Sequence, residues 1–123
     1  MILSFEDEKP IYQQLAEGIE DAILSGAFPE ETQIPSTTEI SLLYKINPAT
    51  ALKGINLLVD SNIIYKKRGV GMFVAVGAVK TLLEKRKISF YESFIISLTE
   101  EANKLHISKE EILSMIERGM DNE

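Results

Sequence analysis

The stretch "NPATALKGINLLVDSNIIYKKRGVGMFV", residues 47–74, changes its pattern at its midpoint. Its first half predicts an α-helix, because Asn47 is a favourable N-cap and Pro48 suits the first helical position. Its second half contains two short runs rich in β-branched and aromatic residues, separated by "RGVG" at residues 68–71. Since Gly69 and Gly71 tolerate the positive φ values of a tight turn, this half predicts a β-hairpin.

The helix predicted from Pro48 onward has two chemically different faces. With Ile55 at the centre of the buried face, the apolar residues on the same side at 3.6 residues per turn are Ala51, Leu52, Leu58 and Val59. The residues on the opposite side are Ala49, Thr50, Lys53, Asn56 and Asp60. The outer face therefore combines a methyl, a hydroxyl, a cation and an amide, groups that contact thymine methyls, base edges and phosphates in DNA complexes.

Two further helices are predicted upstream. Residues 10–25 form one amphipathic helix, whose apolar stripe recurs every four residues at Ile11, Leu15, Ile19 and Ile23. Ser36 and Glu39 form a capping box for a second helix, which should turn Ile40 and Leu43 inward and end near Tyr44. Three helices and a hairpin, with a short turn between the second and third helices, make a winged helix-turn-helix, whose third helix enters the DNA major groove.

The charge pattern allows a polyanionic partner although the net charge of the chain is −6. Residues 45–68 are locally basic, with a net charge of +4 that comes from Lys45, Lys53, Lys66, Lys67 and Arg68 against Asp60. Charges separated by more than a Debye length of about 8 Å are largely screened at physiological salt. A basic patch on an acidic protein can therefore still bind phosphates.

Composition excludes several other classes of protein. The 123 residues contain no cysteine, which excludes disulfides and thiolate chemistry. The acidic N-terminal segment "MILSFEDEKP" and the absence of a long apolar run predict a soluble cytoplasmic protein. No nucleophile–base pair or metal-ligand spacing is present, so neither a catalytic nor a metal site is expected. The Gly-x-Gly lies outside any βαβ unit, so it does not indicate a nucleotide, and no cofactor is predicted.

Four segments together resemble a known family, namely "PIYQQLAEGIEDAILSG", "IPSTTEIS", "NPATALKGINLLVDSNII" and "KKRGVGMFV". Over residues 9–76 they are similar to the N-terminal DNA-binding domain of GntR-type bacterial transcription regulators. The "NPAT" turn and the short helical tail further resemble the YtrA subfamily, which implies a dimeric repressor, often of a transporter operon. The resemblance implies that double-stranded DNA is contacted by Ser36, Thr37, Thr38, Asn47, Ala49, Thr50, Lys53, Arg68, Gly69 and Gly71.

The chain departs from the family at two of these segments. Thr38 stands where the family commonly has arginine, and Pro48 stands where most branches outside the YtrA group have arginine. A missing arginine removes phosphate or guanine contacts, and a good bidentate base contact is worth about 1–3 kcal/mol. We therefore expect these two positions to alter which operator is bound and how tightly.

Residues 77–123 are predicted to be a helical tail of three short helices. Capping boxes are expected at Ser89–Glu92 and Ser108–Glu111, and Phe90, Tyr91 and Phe94 are expected in the core rather than in an effector pocket. One apolar stripe comprises Phe94, Leu98, Ala102 and Leu105, and another comprises Ile112, Leu113, Ile116 and Met120. The tail is too short to enclose a typical small-molecule pocket of about 300–1,000 Å³. We therefore expect a second copy of the chain to bury these apolar stripes.

The sequence therefore predicts a mostly α protein with a small β-hairpin. A winged helix-turn-helix domain occupies residues 1–76, and a helical dimerisation tail occupies residues 77–123. The expected homodimer would read an inverted repeat with half-sites about 34 Å apart. The alternative is a winged helix that serves as a protein-interaction module without specific DNA binding, which the acidic net charge favours. A small-molecule effector stays undetermined at this point.

Overall fold

The computed structural model describes residues 1–122 of the chain. It divides into two compact units, Met1–Glu84 and Lys85–Glu123. The first unit contains α1 (Ile11–Leu24), β1 (Gln33–Ile34), α2 (Thr37–Tyr44), α3 (Pro48–Asp60), β2 (Ile64–Lys67), β3 (Gly71–Val74) and the start of α4 (Ala78–Phe90). The mostly helical winged helix-turn-helix fold predicted from the sequence is thus confirmed.

The hairpin belongs to a three-stranded antiparallel sheet with strand order β1–β3–β2. Strand β1 has only two residues, with Gln33 opposite Phe73 and Ile34 opposite Met72. No strand was predicted here, because two residues are too few to show the alternation of a strand. This short strand exists because β3, far along the chain, offers it a free edge.

Helices α1 and α3 pack closely where α3 carries a glycine. A Cβ added at Gly54 would lie 2.8 Å from the carbonyl oxygen of Tyr12 and 3.1 Å from Cδ2 of Leu15. The buried face of α3 is consequently Ala51, Gly54, Ile55 and Leu58. The prediction that Leu52 is buried was wrong, since this rotation towards α1 leaves its side chain 48% exposed.

The capping box of α2 is present as predicted. The Ser36 hydroxyl accepts from the Glu39 N–H at 3.0 Å, and the Ser36 N–H donates to Glu39 Oε1 at 3.1 Å. Ile40 is buried, but Leu43 is 67% exposed, so its inward orientation was predicted wrongly. Helix α2 has only eight residues, so only a small part of it contacts the core. Ile40 and Ser41 make that contact and are its buried residues.

The core of the first unit draws on every element of that unit. Its sixteen buried residues are Leu15, Ala16, Ile19, Ile23, Ile34, Ile40, Ile46, Ala51, Ile55, Leu58, Ile63, Ile64, Met72, Val74, Ala78 and Leu82. The carboxylate of Glu30 also caps α4, because it accepts from the Gly77 N–H at 2.8 Å and from the Val79 N–H at 3.1 Å. These two hydrogen bonds lower the pKa of Glu30.

The tail forms two helical runs rather than the three that were predicted. Helix α4 continues through a π-helical turn (Tyr91–Ile95) into α5 (Ile96–Lys104), and α6 spans Lys109–Asp121. A π turn accommodates an extra residue without ending the helix. Ser89 therefore lies inside α4 and its predicted capping box with Glu92 is wrong, whereas the Ser108–Glu111 box of α6 is present.

Most apolar side chains of the second unit face solvent in the single chain. Among its described residues only Ala102 is a buried hydrophobic residue. Phe90, Tyr91 and Phe94 were predicted in a core but are all more than half exposed, with Phe90 and Phe94 in ring contact at 5.4 Å between centroids. Among residues 1–122, no helix combines the length and hydropathy required to span a membrane.

Candidate DNA-binding interface

The start of α3 is built as an exposed helix N-terminus. The Asn47 side-chain oxygen accepts from the Ala49 N–H at 2.8 Å, and Pro48 occupies the first helical position, both as predicted. Asn47, Pro48 and Ala49 are exposed, and Thr50 is half-buried. A helix N-terminus of this kind directs backbone N–H groups and a partial positive charge outward, which favours a phosphate.

The outer face of α3 carries its polar side chains in one row. Ala49, Lys53 and Asn56 are all exposed and lie one turn apart along the helix, and Asp60 ends the row. The Lys53 ammonium lies 4.1 Å from the ring centroid of Tyr12. This cation–π contact holds the lysine against α1 while its side chain stays exposed.

The three residues predicted at the start of α2 have different environments. The Ser36 hydroxyl oxygen is engaged by the capping box, although its proton can still be donated to an acceptor. Thr37 is half-buried, while Thr38 is exposed. Because α2 packs against α3, this helix end belongs to the same helix-turn-helix as the row of Ala49, Lys53 and Asn56.

The hairpin turn presents Arg68, one of the two cations of the predicted set. The Val70 N–H donates to the Lys67 carbonyl at 2.9 Å, which closes a tight turn around Arg68 and Gly69. The φ angles of Gly69 and Gly71 are 77° and 144°, so the positive values expected at both glycines are confirmed. Arg68 is exposed and has no hydrogen bond or ion pair with any described residue, so its guanidinium is available to a phosphate.

Behind this turn, the outer face of the sheet is a stack of side chains. The rings of Tyr65 and Phe73 lie 5.9 Å apart in a stacked arrangement, and the Lys67 ammonium lies 4.6 Å from the Phe73 centroid. Desolvation raises the pKa of Tyr65, and the nearby carboxylate of Glu31, which accepts from its hydroxyl at 3.4 Å, raises it further. The stack stiffens the base of the hairpin.

Sequence reasoning missed two residues that support these elements. Tyr12 holds Lys53 by the cation–π contact, and Gln33 donates from Nε2 to the Val70 carbonyl at 3.0 Å. Neither residue carries a local signal, because each contacts a partner about forty positions away in the chain. Among residues 1–122, no group of three histidine, cysteine, aspartate or glutamate side chains could hold a metal ion.

The family described as bacterial regulatory proteins of the gntR family matches residues 11–74 of this chain, which are slightly more than half of its length. The chain belongs to the GntR family. Its members are transcription regulators with a DNA-binding domain and are not enzymes. The matched residues cover α1 to β3 and hence all ten residues that were expected to contact DNA.

Individual relatives refine the position of this GntR regulator within the family. It is 27% identical over 120 residues to the HTH-type transcriptional repressor YtrA of Bacillus subtilis, with 93% of this chain and 92% of the relative covered. That match supports the YtrA-like subfamily. A putative GntR-family regulator from Bacteroides thetaiotaomicron is 35% identical, with a TM-score of 0.78 and coverage of 91% of this chain and 97% of that chain.

A third similarity is to a protein solved with DNA. The structure of the AraR DNA-binding domain in complex with operator ORR3 is 31% identical to this GntR regulator. Its TM-score is 0.54, and the match covers 61% of this chain and 90% of the AraR domain.

Proposed function

We propose that the protein is a homodimeric repressor that binds an inverted-repeat operator through α3 and the β2–β3 hairpin. The observation that carries the proposal is the exposed row of Ala49, Lys53 and Asn56 on a helix whose buried face is packed into the core through Ala51, Gly54, Ile55 and Leu58. An exposed polar face on a single helix suits the major groove, which admits one α-helix. The operator complex of the similar AraR domain supports this use of the fold.

Within this proposal, each group of exposed residues has a distinct role. Ala49, Thr50, Lys53 and Asn47 would contact bases and the adjoining phosphates, because they lie on the first two turns of α3. Ser36, Thr37 and Thr38 would contact the backbone from the start of α2. Arg68, with Gly69 and Gly71 beside it, would place a guanidinium on the flanking phosphates or in the minor groove.

The homodimer is proposed from the unburied apolar surface of the tail. Helices α5 and α6 enclose a groove of about 240 Å³ with a wholly apolar exposed surface, lined by Leu98, Glu101, Ala102, Leu105, Ile107, Ile112, Met115 and Ile116. Its lining residues are too exposed for a finished core, and an identical α5–α6 pair offers a self-complementary apolar surface. We take residues 77–123 as the dimerisation region and residues 1–76 as the DNA-binding domain.

The finer biological assignments rest on resemblance. Repression is supported by the similarity to YtrA, whose name identifies it as a repressor. Control of a transporter operon and a cytoplasmic location are included in the proposal on the same ground. Two α3 helices in a symmetric dimer would address half-sites about 34 Å apart, one turn of the DNA helix.

The test begins with the selection of tight-binding duplexes from a random pool by the purified protein. Recovery of an inverted repeat is the expected result, and the repeat is then used for titrations at several salt concentrations. Lys53→Ala and Arg68→Ala should each weaken binding and flatten the salt slope by about one unit for each lost phosphate contact. Lys80→Ala removes an equal charge outside residues 45–68 and should change neither quantity.

The outcomes separate DNA recognition from the protein-interaction alternative. One outcome is that the folded dimer enriches no sequence and that its affinity for DNA is the same in Lys53→Ala and Arg68→Ala as in the parent. In that case the winged helix does not recognise DNA specifically. Enrichment of a single half-site by a monomer would instead retain DNA recognition and contradict the dimer.

A further inference from the structure

We propose that Gln33 is a positioning residue for DNA binding, which holds the hairpin turn in the shape that presents Arg68. This inference rests on the proposed function, specifically on the contact between Arg68 and DNA. It assigns a role to a side chain that lies outside the hairpin and outside the helix-turn-helix.

The position of Gln33 follows from the register of the sheet. Strand β1 is paired with β3 so that Gln33 lies opposite Phe73, two residues beyond the start of β3 at Gly71. From there its side chain runs back along β3 towards the turn, where Nε2 donates to the Val70 carbonyl at 3.0 Å. The bond joins residues 37 positions apart and links the turn to β1, a strand that lies outside the hairpin.

Gly71 provides the space for this contact. A Cβ on residue 71 would collide with Nε2 of Gln33 and would lie 3.2 Å from its Cδ. Any side chain at this position would therefore displace the Gln33 amide from the turn. The glycine is required twice, once for its φ of 144° and once for the approach of Gln33.

The turn has few other restraints. Its own backbone contributes the Val70 to Lys67 hydrogen bond, and Arg68, Gly69 and Val70 are all exposed. A three-residue loop with a glycine at its centre can adopt several conformations in solution. Ordering such a loop upon binding reduces affinity, whereas a loop ordered beforehand avoids that loss. Gln33 thus acts through Arg68 and need not touch DNA.

The experiment is a double-mutant cycle on the selected operator with Gln33→Met and Arg68→Ala. Methionine keeps the length and the zero charge of glutamine but removes the donor. Gln33→Met should weaken operator binding by about two- to tenfold, the range for one lost hydrogen bond. It should also flatten the salt slope by part of the roughly 0.9 unit expected for one phosphate contact. In the Arg68→Ala background, the same substitution should change affinity by less than about twofold.

The matched control is Gln13→Met, the same chemical change on α1. The Gln13 side chain has no hydrogen bond with any described residue, so this variant should bind like the parent protein. Amide hydrogen exchange of residues 68–71 without DNA gives a second readout, which should be faster in Gln33→Met and unchanged in Gln13→Met.

The failures of the two proposals are distinguishable. If Arg68→Ala weakens binding but Gln33→Met leaves it unchanged, or weakens it equally in both backgrounds, the positioning role is overturned and the DNA contact stands. If Arg68→Ala itself has no effect, the hairpin contact of the proposed function fails, and the role of Gln33 fails with it.

Discussion

The two units of this regulator use apolar residues in opposite ways. The unit Met1–Glu84 encloses sixteen buried residues in one cluster, with Leu15, Ala51 and Ile63 fully excluded from solvent. The unit from Lys85 onward has a similar proportion of leucine, isoleucine, methionine and phenylalanine, yet among its described residues it buries only Ala102 as a hydrophobic residue. The first unit buries its apolar side chains within a single copy, whereas the second unit leaves most of its own exposed, and the proposed dimer would cover them.

The physical origin of the difference is the number of layers that each unit can build. Three helices and a sheet give the first unit two packed layers with an interior between them. The tail consists of two helical runs, and two helices form a groove between them but no interior between packed layers. We therefore expect substitutions to affect folding in the first unit and assembly in the second.

The largest expected effect is on assembly. Leu98→Asp places a charge in the apolar groove between α5 and α6, where the partner copy would have to bury it. Because a desolvated unpaired charge is strongly unfavourable, the dimer dissociation constant should rise about a hundredfold or more. Sedimentation equilibrium measures this change, and binding to the inverted repeat should fall in parallel.

Asn103→Asp is the control for this substitution. It adds the same charge to α5 about 140° around the helix from Leu98, so it should leave the dimer intact. A Leu98→Asp protein that stays dimeric would contradict the role of the groove. A parent protein that is monomeric at all concentrations would contradict the proposed homodimer.

A glycine in each unit tests the same comparison at intermediate size. Gly54→Ala should destabilise the first unit by about 1–3 kcal/mol, because the new Cβ meets the Tyr12 backbone oxygen and the helices must separate. Gly119→Ala should instead stabilise α6 by about 0.5–1 kcal/mol, since nothing lies within 4 Å and alanine favours the helix. Urea unfolding followed by circular dichroism gives both values.

An equal response at the two glycines would contradict the comparison. In particular, a Gly54→Ala protein as stable as the parent would show that the α1–α3 contact can open without loss, and that the first unit is less tightly packed than its geometry indicates.

The smallest expected effect concerns the start of α4 and depends on pH. The Gly77 and Val79 N–H groups lower the pKa of Glu30 below its usual value of 4.5. The stabilisation is therefore fully present above that value and is lost as the pH falls through the lowered pKa of the folded protein. Glu30→Gln should have a lower Tm than the parent near pH 7, and the difference should shrink as the pH falls below 4.5.

Thermal melts of both proteins across this range provide the measurement. A Tm difference that stays constant with pH would show that the ionisation of Glu30 does not contribute to stability. Glu6→Gln, on an exposed acid without a resolved contact to α4, is the control and should leave the pH profile unchanged.

Much of the first unit could be predicted from residues close together in the sequence. The caps of α2 and α3, the buried Ile40 and Ile55, and the positive φ angles of the hairpin all depend on neighbours within a few positions. The exposed row on α3 was found for the same reason, because helical spacing alone places Lys53 and Asn56 together. The chemistry of that row and the winged helix-turn-helix arrangement predicted a DNA contact, and the family resemblance added the list of contacting residues.

The errors share a cause that local patterns do not contain. Leu52 is exposed because Gly54 brings α1 close and rotates α3, and Leu43 is exposed because the short α2 has no second layer to cover it. The capping motif Ser89–Glu92 is present in the sequence, yet no helix begins there. The helix continues past Ser89 through the π-helical turn Tyr91–Ile95 into α5. Each outcome depends on the neighbour that an element meets.

The sequence by itself determined the three helices and the hairpin of the first unit, the caps of α2 and α3, the turn glycines and the basic stretch of residues 45–68, because propensity, capping and charge act over one or two helical turns. Only the tertiary structure decided that β1 pairs with β3, that Tyr12 holds Lys53, and that Gln33 reaches the hairpin turn. These contacts join residues more than thirty positions apart, and they form only when packing of the common core brings their elements together.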